Sequence, residues 1–107
     1  MPQTDGMVKN RPALILREMP RFGDLLVCGI SSQLWVAVAD FDETITAADS
    51  DFERSGLLAP SVVRLGFLAV LPRKSIPGII GSIAPERHRR LLLKLGNYLT
   101  KESQPIE

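Results

Sequence analysis

The sequence predicts a mainly β fold, a small barrel or strongly bent sheet with one C-terminal helix packed on it. Two patterns predict it. Short apolar runs bounded by Pro, Gly or Asp recur between Pro12 and Ile83, and one stretch with helical spacing follows from Pro85. The chain has 107 residues, of which 45% are hydrophobic. That length suits a single domain over residues 1–107, and it can bury roughly two-thirds of its unfolded surface without disulfide or metal staples.

Residues 1–10 read as a polar loop with a turn at Asp5 and Gly6. PALILRE (12–18) predicts a strand that opens on Pro12, where no N–H is needed. MPRFG (19–23) is a connecting loop, and DLLVCGIS (24–31) predicts a second strand, apolar on both faces as in a small closed sheet. Further strand is predicted over 34–39, although its alanines weaken the pattern. Residues 40–56 are acidic, with a short strand around Thr44 to Thr46 between loops. Residues 61–65 and 67–71 predict two strands, or one bent at Gly66. IPGIIGSI (76–83) reads as a glycine-punctuated strand turning a barrel corner. Pro85 then opens a helix to about Leu99, with proline at the first helical position and Glu86 complementing the dipole. Leu92, Leu95 and Leu99, widened by Leu91 and Tyr98, form its apolar stripe, and residues 100–107 are expected to fray.

Composition excludes several classes of function. The formal net charge is +1, so any nucleic-acid contact must rest on local charge. The lone cysteine, Cys28, lies in an apolar run and reads as a buried structural thiol in a reducing, cytoplasmic setting. There is no signal-peptide core and no apolar run near the roughly 20 residues of a membrane span, so no membrane partner is expected. One His and one Cys cannot build a His/Cys zinc site, and no carboxylate spacing suggests a cage, so neither metal nor cofactor is expected.

Candidate chemistry gathers at Lys9, Asn10, Arg11 and Pro12, where two cations precede a strand. If 12–18 and 24–31 form a hairpin with Glu18 opposite Asp24, Arg11 falls opposite Ser31. A guanidinium facing a hydroxyl at the end of a rigid hairpin makes a phosphate clamp. The alternative is a solvated cation beside a Ser31, Ser32 turn. Arg87, His88, Arg89, Arg90 and Lys94 form the most basic stretch and read as a solvated helix face, with phosphate binding as the alternative. His88 reads as a surface residue remote from Arg11. Trp35 and Phe41 could stack bases but read as core or dimer-interface residues. The acidic run 40–53 reads as a solubilising loop, with docking of a basic segment as the alternative.

Four runs carry a family resemblance. KNRPALIL (9–16), ISSQ (30–33), GLLAPSVVR (56–64) and IGSIAPE (80–86) occur in the order, and with most of the residues, of the signature segments of PemK/MazF-type toxins, which this chain resembles over most of 9–99. The resemblance implies an SH3-like barrel (CcdB/PemK-like). It also implies a cytoplasmic toxin of a type II toxin–antitoxin system that cleaves single-stranded RNA without metal, using the RNA's own 2′-hydroxyl as nucleophile. Arg11 matches the family's catalytic arginine and Ser31 its catalytic threonine. Lys9, Asn10, Ser32, Gln33, Ser61 and Arg64 are the implied RNA-binding residues. Ser61 stands where some members hold a catalytic carboxylate. The implied partners are single-stranded RNA, a cognate antitoxin, a second copy in a homodimer, and operator DNA through the antitoxin complex. Family members usually open with a Gly-Asp-(hydrophobic) strand that this sequence does not show, so an unpaired sheet edge is expected. The rival readings are a non-catalytic SH3-like toxin that grips DNA gyrase, and a truncated remnant that keeps only dimerisation or antitoxin binding.

Overall fold

The computed structural model describes residues 11–101. The polar loop 1–10, with Lys9 and Asn10, and the tail 102–107 lie outside the described residues. The chain is mainly β. Strands β1 (Ala13–Glu18), β2 (Leu25–Ser31), β3 (Glu43–Ile45) and β4 (Ser61–Leu71) form one antiparallel sheet in the order β1-β2-β4-β3. A short helix α1 (Phe52–Ser55) precedes β4, and α2 (Pro85–Thr100) closes the fold, as the proline, Glu86 and leucine pattern predicts.

Two irregularities curl the sheet. β4 is one strand rather than two, and its pairing with β2 passes from Cys28 opposite Leu68 to Gly29 opposite Arg64. Leu65, Gly66 and Phe67 are left without a β2 partner and bend β4 where Gly66 had suggested a break. Phe67 folds back over Gly29, where an added Cβ would meet the ring at 2.9 Å. The second irregularity lies in β1, where pairing shifts by one between Ile15 and Arg17 and leaves Leu16 as the extra residue. Leu16 is 2% exposed and packs with Cys28, Val63, Leu65, Leu91 and Leu95, so sheet and α2 share one core. Burial pushes the Cys28 thiol up to about 12, helped by the Asp42 charge, which fits an inert structural thiol.

Two predicted strands are absent. Residues 34–39 hold a 3-10 turn, Leu34–Val36, followed by an irregular loop. Apolar content there mimics a strand, but Asp42 pulls the loop into a turn. Its carboxylate accepts the N–H groups of Val38 and of Leu65, both at 2.9 Å, and Asp40 takes a left-handed φ of 64°. Residues 76–83 are irregular as well. Pro77 lacks an N–H and Gly78 lacks a side chain to pack, and Gly81 lies so close to the backbone at Arg54 and Ser55 that a Cβ would clash. Ser82 N–H donates to the Arg54 carbonyl at 2.9 Å, which ties this segment to the end of α1. The α2 stripe is also shorter than predicted, since Tyr98 and Leu99 are exposed. No helix among the described residues is long and apolar enough to cross a membrane.

Candidate functional site

Between the outer edge of β1, residues 76–83 and one side of α2 lies an open groove of about 1330 Å³. Protein interiors are normally close-packed, so a space of this size marks a place for a ligand or a partner. Leucines, isoleucines and serines form most of its wall. Among the described residues no Asp or Glu lines it, whereas Arg11, His88 and Arg89 do. An apolar wall with cations and no carboxylate favours anions.

The register of the hairpin that leads to Arg11 and Ser31 is not the one the sequence displays. At the turn, Glu18 pairs with Leu25 rather than Asp24. The bulge at Leu16 then shifts the register by one, so Ala13 pairs with Gly29 and Ile30 N–H donates to the Pro12 carbonyl at 3.3 Å. Continued one step beyond that bond, the same register would set Arg11 opposite Ser31. Both residues line the groove, and Arg11 is exposed. The Ser31 hydroxyl accepts the Gln33 N–H at 3.0 Å, which fixes its direction and leaves its own hydrogen free to donate.

The other candidate residues divide. Ser32 lies exposed on the groove beside Ser31. Ser61 also lines it but is 4% exposed and donates to the Ala59 carbonyl at 2.8 Å, so its hydroxyl is engaged in holding the preceding loop. Gln33 does not line the groove. Arg64 does not either: one residue beyond groove-lining Val63, strand alternation turns it to the other face, where its guanidinium lies 4.8 Å from the centre of the Phe67 ring. Lys9 and Asn10 lie outside the described residues. Trp35 is 81% exposed, so it is not core, and Phe41 is half-buried against the core with its ring centre 5.1 Å from that of Tyr98. Among the described residues no three His, Cys, Asp or Glu side chains converge as a metal site.

The basic stretch of α2 is not the uniform solvated face expected from the sequence. Arg87 is 7% exposed. Its guanidinium donates twice to Asp51, at 2.8 and 3.2 Å, and through one nitrogen to Glu43 at 3.0 Å and the Thr44 carbonyl at 3.2 Å. Arg90 grips both Glu43 oxygens at 2.7 and 2.9 Å, and Lys94 reaches Glu43 at 3.2 Å. Burial pushes the Glu43 carboxyl up, but the hydrogen bonds and charges of Arg90 and Lys94 outweigh it and hold the group below the usual range. Hydrogen bonds from Arg87 hold the Asp51 carboxyl down against its burial. Asp51 also accepts the Ala84 N–H at 3.0 Å, placing a carboxylate at the N-terminus of α2. The acidic run is therefore an internal counter-charge. One sequence signal pointed to it: Arg87 stands four residues before Leu91 and eight before Leu95, on the buried face of the helix.

His88 is not a remote surface residue. It is half-buried on the groove, and its Nε2 lies 3.1 Å from the Ile15 carbonyl of β1. Arg89, the next residue, is exposed on the same groove. Arg11, Ser31, His88 and Arg89 thus line one and the same groove.

A search of the curated proteins finds no significant match. The sequence profile of the PemK-like, MazF-like toxins of type II toxin–antitoxin systems matches residues 2–99, nearly the whole length. The chain belongs to that toxin family.

Proposed function

We propose that this chain is a metal-independent endoribonuclease that cleaves single-stranded RNA at Arg11 and Ser31, acting as the toxin of a type II toxin–antitoxin pair. The observation that supports the reading is that Arg11 and Ser31 both line a groove with no carboxylate among its described residues. The RNA's 2′-hydroxyl attacks the adjacent phosphorus and the bond to the 5′-oxygen breaks, leaving a 2′,3′-cyclic phosphate and a 5′-hydroxyl. The proton lost from the 2′-oxygen is balanced by the one gained at the 5′-oxygen. Charge grows on the non-bridging oxygens during the attack. Arg11 stabilises that charge, and the Ser31 hydroxyl, held by Gln33 N–H, donates to one of the oxygens. Ser32 extends the RNA contact, as do Lys9 and Asn10, which precede Arg11 in sequence, while Gln33 and Arg64 meet only RNA that runs beyond the groove. Ser61 supports the wall. The protein works in the cytoplasm as a homodimer and is silenced by a cognate antitoxin, through which the complex reaches operator DNA.

Purified protein should cleave single-stranded RNA in the presence of a chelator. Arg11→Ala should lower kcat by about 10²- to 10³-fold, the range seen when one oxyanion donor is lost, with an unchanged circular-dichroism spectrum. Undiminished chelator-resistant cleavage by that variant would remove Arg11 from its role. Capture of DNA gyrase by a protein that cuts no RNA would replace the enzyme reading with the binding one.

A further inference from the structure

Among the described residues β1 is an edge strand of the sheet, so alternate residues turn their backbone groups away from β2. Pro12 accepts from Ile30, which makes 12 and 14 the inward positions and 13 and 15 the outward ones. The Ile15 carbonyl therefore faces the groove, where an unpaired acceptor would be costly. His88 meets it at 3.1 Å. A carbonyl only accepts, so His88 Nε2 carries the hydrogen and donates. The next residue, Leu16, is the bulge, and its side chain packs in the core with Leu91 and Leu95 of the same helix. Helix α2 thus holds the bulge from two directions.

We propose that His88 is a positioning residue whose hydrogen bond to the Ile15 carbonyl pins the β1 bulge and, through it, sets Arg11 against Ser31. Without the bulge, the pairing that starts with Glu18 opposite Leu25 would bring Pro12 against Ser31 and turn Arg11 to the other face. The register is a one-residue choice made at Ile15 and read out four residues away, at the arginine. The catalytic consequence rests on the RNA-cleavage reading; the register itself does not.

Arg11 and Ser31 form a non-hydrogen-bonded pair by this alternation, and such pairs bring their α-carbons to about 4.5 Å. In NMR spectra the native protein should show an Hα–Hα cross-peak between Arg11 and Ser31. His88→Leu should lose it, and His88→Gln, which restores a donor, should keep it. With RNA, His88→Leu should lower kcat about tenfold at a KM within twofold of native, and His88→Gln should recover most of the rate. If the Leu variant does not fold, His88→Glu decides by the same cross-peak, since an ionised Glu has the reach of Gln but no hydrogen to donate. Persistence of the cross-peak in the donor-less variant overturns the proposal. Loss of the cross-peak in a protein whose native form cuts no RNA upholds the latch and removes the ribonuclease reading.

Discussion

The two sides of α2 carry the same kinds of cation in opposite circumstances. On one side Arg87, Arg90 and Lys94 meet Glu43, Asp49 and Asp51, and the shortest contact is 2.7 Å. On the other, His88 and Arg89 face a groove whose described walls hold no carboxylate. Arg89 and Arg90 are adjacent in sequence and differ only in helical phase, about 100° of rotation. The saturated side fastens α2 to β3 and to the loop before α1. The unsaturated side leaves positive charge where a polyanion can use it. A basic run on a helix thus divides into two faces, and the sequence separates them only when each residue is assigned to a face.

The comparison breaks most sharply at Arg87. Arg87→Met should destabilise the protein by about 3–5 kcal/mol, because it leaves Asp51 buried without its cation. Arg89→Met, on an exposed side chain, should change stability by less than about 0.5 kcal/mol. Urea denaturation of the pair measures both, and equal losses would show that the two sides of the helix are not different in kind.

Acid probes the same network with a smaller effect. The Glu43 and Asp51 carboxyls sit below their ordinary values in the folded protein. A group depressed on folding contributes stability above its unfolded pKa, about 4, and that contribution is lost as pH falls through the lower folded value. The thermal midpoint should therefore fall steeply below pH 4, and Arg87→Met should flatten part of that fall, because Asp51 is no longer held down while Glu43 keeps Arg90 and Lys94. A variant with the native slope would place the acid sensitivity elsewhere.

What the sequence disclosed follows the range of each interaction. The hairpin, β4 and α2 are local patterns of apolar spacing and turn residues, and each was legible. Counting from Glu18 opposite Asp24 puts Arg11 opposite Ser31, whereas Glu18 pairs with Leu25 and the Leu16 bulge then shifts the register by one, to Ala13 opposite Gly29. Nothing in ALILRE distinguishes a bulged strand from a regular one. Residues 34–39 and 76–83 have the apolar content of strands, but a strand needs a partner edge, and Asp42 and the glycines commit those segments to other contacts. The Arg87 network joins residues 36 and 44 positions apart, beyond any local window. Arg64 is a different case, since period-two alternation from Ser61 through Val63 turns it away from the groove.

Arg89 sharpens the comparison with the smallest effect. If the open side of α2 serves a polyanion, Arg89 contributes through charge rather than shape, because it is exposed on the rim of the groove. Arg89→Ala should leave stability and kcat unchanged and weaken RNA binding a few-fold at low salt. It should also lower the slope of log affinity against log salt by about 0.7, the amount lost with one phosphate contact on a single strand. Arg90→Ala supplies the control, since its guanidinium is already occupied by Glu43 and should leave that slope unchanged. Fluorescence anisotropy across a salt series distinguishes them. Equal slopes in the two variants would mean that RNA does not run along α2, and would confine the contact to the hairpin end at Arg11 and Ser31.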